Sequence, residues 1–99
     1  MSYSAFGLVE VLGSANAVIV TDQMLKIAEV SYVTQDTKCG GHVLVFVTGS
    51  VAAVTAAIEH VRENAACEIF GSAVISNPSE EMIEIVEVFK ARRAKIKTR

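Results

Sequence analysis

Few side chains in this sequence are suited to chemistry, and the best of them gather in one stretch, Thr37-Lys38-Cys39-Gly40-Gly41-His42. It holds one of the two cysteines, one of the two histidines and the only adjacent glycines in the chain. A thiol set after a lysine and before two glycines is expected to be exposed, and the lysine cation favours its thiolate, the form that binds metals. His42 adds an imidazole three residues on. Within a single chain, one cysteine and one histidine fall short of the roughly four ligands that a closed metal site takes.

The other candidates favour structural roles. Cys67, among Ala65, Ala66 and Ile69, reads as a small buried hydrophobe. His60, between Glu59 and Arg62 in a helical stretch, reads as a surface or interface side chain. Glu80-Glu81 and Glu84 with Glu87 lie on a charged helix expected to face solvent. The chain offers no supported nucleophile–histidine–acid set, no phosphate-cradling glycine loop and no carboxylate pair set in apolar surroundings. Nothing here would organise a transition state, so an enzyme is not expected.

The turn must be held by its flanks. Ser4 to Val11 is rich in strand formers and stops at Gly13-Ser14, with Ser14 expected to cap a helix from Ala15 to Ala28. Gly7 inside that strand points to close backbone approach or a bend. Val30 to Thr34 alternates as a second strand. After the turn, Val43 to Thr48 is unbroken apolar and β-branched, the mark of a central strand buried on both faces. The turn between them is short enough for a hairpin. Ser50 caps a second helix from Val51 to about Ala65, and Cys67 to Ile75 forms a fourth strand. Asn77-Pro78-Ser79 breaks the chain, and Ser79-Glu80-Glu81-Met82 reads as a capped start to a last helix reaching about Arg93. The order is β-α-β-β-α-β plus a helix, an α+β, ferredoxin-like arrangement with both crossover helices on one face of an antiparallel sheet. Residues 1–79 make the core domain and residues 80–99 a C-terminal helix with a basic tail.

Ninety-nine residues make one domain, and 52% hydrophobic content is more than so small an interior hides, which points to an oligomer. No apolar run approaches the ~20 residues that span a bilayer. The N-terminus has no basic residue before its apolar stretch, so no signal peptide is read, and the cytoplasm with reduced cysteines is expected. Charge is uneven: residues 1–89 carry Lys26, Lys38 and Arg62 against eleven acids, while residues 90–99 carry six basic residues and no acid. Such a tail can bind nucleic acid. The weightier reading is a solvated helix end whose cations suit the dipole, because no aromatic residue follows Phe89 to stack on a base.

With that topology, the sequence resembles the bacterial microcompartment shell-protein (BMC) domain over nearly its whole length. Ala5-Phe6-Gly7-Leu8-Val9-Glu10 resembles the family's "A-L-G-M-I-E" strand. Ala17, Asp22, Met24, Lys26 and Ala28 match "A-x-x-x-x-D-x-M-x-K-x-A". The run from Val30 to Val51 aligns without a gap to the second strand, pore turn, third strand and "R-G-D-V" corner. The resemblance implies cyclic homohexamers that tile with other shell proteins into the wall of a cytoplasmic protein organelle enclosing enzymes. It places Thr37, Lys38, Cys39, Gly40, Gly41 and His42 at a pore on the six-fold axis, where the family typically has "K-I-G-S-G". It places Lys26 and Asn77 at the hexamer edge. Three departures point to a specialised component: Asn77 stands where an arginine is usual, Thr48-Gly49-Ser50 replaces "R-G-D", and the Ala65–Ile75 segment is shorter than usual. The C-terminal helix exceeds the minimal domain and is expected to meet encapsulated enzymes or another shell subunit.

Closed symmetry puts each turn residue in a ring, so Cys39 becomes six converging thiols. The chain resembles divergent single-domain members of glycyl-radical propanediol microcompartments, and some proteins of this family carry an iron–sulfur cluster at a pore cysteine. The resemblance thus implies Cys39 as the metal ligand, for a cluster of 4Fe–4S type serving electron transfer or redox sensing. The plain alternative is a metabolite pore shaped by Lys38, Cys39 and Gly40, with zinc, aided by His42, behind both. From a different class, an oligomeric ferredoxin-like metabolite-sensing module accounts for the same topology.

Overall fold

The computed structural model describes the backbone of residues 3–97 and the side chains up to residue 94. The sheet is built on β1 (Ala5–Leu12), whose alternation serves two faces at once. Ala5, Val9 and Val11 enter one core, with Gly7 between them, while Phe6 and Leu8 enter another. β1 pairs antiparallel with β3 (His42–Gly49) on one side and β4 (Gly71–Ser76) on the other. β2 (Ser31–Thr37) pairs with β3, giving the order β2-β3-β1-β4. The expected α+β, ferredoxin-like plan is therefore the observed one.

α1 (Ser14–Ile27) and α2 (Val51–Glu63) share one face, as expected for the two crossovers. Ala17, Val20 and Met24 of α1 and Val54, Ala57, Ile58 and Val61 of α2 close over Val43, Val45 and Val47. α2 lies close because position 7 has no side chain: a Cβ on Gly7 would stand 2.8 Å from Val54 Cγ1 and 3.1 Å from Val47 Cγ2. The opposite face is aromatic. Phe6 and Phe46 meet edge to face at 6.4 Å, and α3 (Glu80–Lys97) covers them with fully buried Val86 and half-buried Met82, Ile83 and Phe89. β3 thus lies between two cores, which is why its apolar run is unbroken.

Some boundaries differ from the sequence reading, each for a local reason. β2 runs on to Thr37, past Thr34, because Gln35, Asp36 and Thr37 stay paired with Val45, Leu44 and Val43. β4 starts at Gly71, not Cys67. The ladder ends at Glu10 opposite Gly71, and residues before it leave the sheet so that half-buried Cys67 and Ile69 pack against the α1/α2 core. α1 is capped not by Ser14 but by Gly13, at φ 91°, without a side-chain bond. The Asn16 amide nitrogen donates instead to the Leu12 carbonyl at 2.9 Å. Ser50 and Ser79 do cap their helices, accepting from the amides of Ala53 (3.1 Å) and Met82 (3.2 Å). α3 continues to Lys97, beyond the expected end at Arg93. The side chains of Lys95 and Lys97, and Arg99 altogether, lie outside the described residues, as do Met1 and Ser2. Among the described residues, no helix is long and apolar enough to cross a membrane.

Candidate functional site: the turn between β2 and β3

Thr37 ends β2, Lys38 is extended, and Cys39–Gly41 form a single 3-10 turn before His42 opens β3. Gly40 and Gly41 adopt φ of 80° and 82°, a left-handed region costly for a residue with a Cβ. Those two glycines let the chain reverse in so few residues. The Lys38 amide donates to the His42 carbonyl at 2.7 Å, closing the turn on itself. The Gly13 amide donates to the Gly41 carbonyl at 2.9 Å, tying the turn to the β1–α1 corner. Thr37, Lys38, Cys39, Gly40 and Gly41 are all exposed, so the turn presents a free thiol and an ammonium outward from a fixed backbone.

His42 behaves differently from its neighbours. Its ring folds back on the sheet, with Nδ1 2.9 Å from Glu10 Oε2, at ion-pair distance though not in hydrogen-bond alignment. Phe70 meets the ring edge to face at 4.7 Å, and the Phe70 amide donates to the Glu10 carbonyl at 2.9 Å. β1, β3 and the approach to β4 are thereby joined under the turn. Sequence reasoning had no means of finding this trio, because its members lie far apart in the chain and no spacing links them. Among the described residues, no three His, Cys, Asp or Glu side chains within one chain converge to hold a metal.

The remaining candidates are dispersed. Lys26, in the last turn of α1, is exposed and forms an ion pair with Asp22 at 2.8 Å; the hydrogen bond and charge of Asp22 raise its pKa. Asn77 is exposed at φ 49° just after β4, and its amide donates to the Ser4 carbonyl at 2.8 Å. Asparagine tolerates that backbone better than most residues. Neither lies in the turn. His60 is half-buried on α2, and its carbonyl accepts from the Asn64 amide at 2.9 Å.

Comparison with known proteins agrees with the fold. The family model described as "BMC domain" matches residues 5–78. The chain is 33% identical to the carboxysome shell protein CcmK1 of Synechocystis over 88 residues, 85% of this chain and 79% of that protein. It is 33% identical to the carboxysome shell protein CsoS1B of Hydrogenovibrio crunogenus over 91 residues, 87% of this chain and 92% of that one. Among solved structures, a microcompartment protein from Desulfitobacterium hafniense superposes with a TM-score of 0.72 at 27% identity, over 85% of this chain. The chain spans about half (47%) of that structure's length.

Proposed function

The chain belongs to the BMC-domain family, and from that premise we propose that it is a non-enzymatic shell protein of a bacterial microcompartment, a cyclic homohexamer whose six Thr37–His42 turns surround a central pore. The observation that carries this reading is the match of residues 5–78, which spans the whole four-stranded sheet with α1 and α2. The relatives named above are shell proteins, which supports a place for this chain in a shell within the cytoplasm, beside other shell subunits. Lys26 and Asn77, both exposed, are then available at the hexamer edge. The finer assignment, to glycyl-radical propanediol compartments, rests on the pore cysteine and the departures at Thr48–Ser50 and Asn77.

Within the ring, Cys39 would be the residue that holds an iron–sulfur cluster. A single chain does not fit one, since it supplies one exposed thiol and its His42 is turned into the sheet. Six chains would supply more thiols than the roughly four such a cluster takes, so only part of the Cys39 ring would serve as its ligands. When bound, the cluster would supply one-electron chemistry. The chain's own part is to present Cys39 on a backbone fixed by Gly40, Gly41 and the bond to Gly13.

The test has two stages. Sedimentation and electron microscopy are expected to show hexamers that form sheets or tubes. Dimers or trimers would favour the metabolite-sensing module instead. Anaerobic purification with iron and sulfide analysis then addresses the pore. Cys39→Ser is expected to keep fold and assembly while losing iron. A wild-type hexamer that stays colourless and iron-free after reconstitution would leave a plain metabolite pore.

A further inference from the structure

The corner where the end of α3 crosses the edge strand β2 contains a surface cavity of about 420 Å³, lined by Tyr32, Val33, Thr34, Lys90, Arg93 and Ala94. That volume is within the ~300–1,000 Å³ of small-molecule sites. The charges around it are unevenly matched. Arg92 is paired with Asp36 at 3.1 Å, and Lys90 is shared loosely with Glu87 at 3.6 Å. Among the described residues no carboxylate lies within ion-pair distance of Arg93, although the body of the chain is strongly acidic. Thr34, another lining residue, is 2% exposed, and its hydroxyl has no hydrogen-bond partner among the described residues. The Thr34 hydroxyl is closed off from the cavity, so the groups that face a ligand are the Arg93 guanidinium, with no carboxylate partner among the described residues, and the loosely held Lys90 ammonium.

We propose that this corner binds a small oxyanion, a carboxylate or phosphate on a short apolar body, with Arg93 and Lys90 taking the charge and Val33 and Ala94 the body. The guanidinium fork suits the two oxygens of either group, and Lys90 adds a point charge. The site lies within one chain and uses no residue of the β2–β3 turn. Failure of the hexamer would overturn the shell reading without touching this one.

Calorimetric titration of the full chain with inorganic phosphate, with acetate and with butyrate, at constant ionic strength, tests the site. Saturable binding at one site per chain is expected for at least one of the three. Phosphate outbinding both carboxylates assigns a phosphate ligand, and butyrate outbinding acetate assigns a carboxylate with an apolar body. Arg93→Gln is expected to weaken binding about tenfold or more. Glu87→Gln releases Lys90 and is expected to strengthen it. Tyr32 gives an independent reading: burial raises its pKa and the charge of Arg93 opposes that rise. In a Tyr3→Phe background, an anion on Arg93 should therefore move the Tyr32 tyrosinate titration to higher pH. Binding that never saturates, or that survives Arg93→Gln unchanged, overturns the proposal.

Discussion

The two faces of the sheet are built from different materials. Toward α1 and α2 the core is mostly valine and alanine, joined by Met24 and Ile58, with Gly7 bare so that α2 can come close. Toward α3 it is centred on rings, with Val86 and other aliphatic side chains around them: Phe6, Phe46, Phe89 and, at its rim, Tyr3, 4.6 Å from Phe6 between ring centres. The first face lies wholly inside the matched family segment, residues 5–78, whereas the second is completed by a helix that begins after it. Small side chains fix a short helix-to-sheet distance and tolerate little added volume. Large rings supply area, so a helix with few fully buried residues can hold there. The shared part of the fold is thus specified by close fit, and the part beyond it by bulk.

The sharpest way to break that contrast is to remove bulk from the aromatic face. Phe46 is 1% exposed and touches both Phe6 and Phe89. Phe46→Ala is expected to cost about 3–5 kcal/mol in urea unfolding, through lost burial and the cavity it leaves. The same variant should loosen α3, seen as faster amide exchange along Glu80–Lys97 than along α2. Equal acceleration in both helices would show that the faces form one cooperative core.

Adding volume tests the other face. Gly7→Ala puts a methyl group against Val54 Cγ1 at 2.8 Å and Ile58 Cδ1 at 3.2 Å, both on buried residues. Overpacking of this kind costs about 1–3 kcal/mol. Because Gly7 points away from α3, amide exchange in α3 should change less than in α2. A neutral Gly7→Ala would mean that α2 is free to shift, and that close fit is not what defines this face.

How far the sequence reached follows the same division. The unbroken run Val43–Thr48 showed a strand between two layers, and Gly7 pointed to close approach or a bend, because each signal is local and carried by side-chain size. The arrangement of the turn was legible too, since Gly40 and Gly41 permit it by themselves. What remained hidden depends on residues far apart. His42, Glu10 and Phe70 meet only because β1 lies between β3 and β4. Residues 67–70 read as strand from composition, yet Cys67 and Ile69 contribute more by packing on the α1/α2 core than by extending an edge. The docking of α3 was obscured by Ile85 and Val88, which are exposed and blur the apolar stripe of Met82, Val86 and Phe89.

A finer probe of the close-packed face is the start of α2. The Ser50 hydroxyl accepts from the Ala53 amide in an exposed position, so its loss leaves packing intact. Ser50→Ala is expected to cost about 1 kcal/mol by thermal or urea unfolding. Ser50→Gly should cost less, because glycine lets water reach the freed amides. A loss much larger than this would mean that the entry to α2, not its fit over Gly7, sets the geometry of that face.

The smallest effect belongs to the rim of the aromatic face and shows itself through pH. Burial and a 2.9 Å hydrogen bond donated to Glu87 raise the Tyr3 pKa above 10.0, with Lys90 acting in the opposite direction. The neutral phenol is the form the folded chain favours. Its contribution is therefore complete below the unfolded value near 10.0 and is lost as pH rises through the higher folded value. Tyr3 is only half-buried, so solvent screens the effect, and Tyr3→Phe should cost below about 1 kcal/mol near neutral pH. Its clearer signature is a gentler fall of the urea midpoint in alkali, reduced to the share that Tyr32, also raised by burial, still contributes. If the alkaline fall is unchanged in Tyr3→Phe, then Tyr3 does not tie α3 to the sheet, and the aromatic face is held by Phe6, Phe46 and Val86 alone.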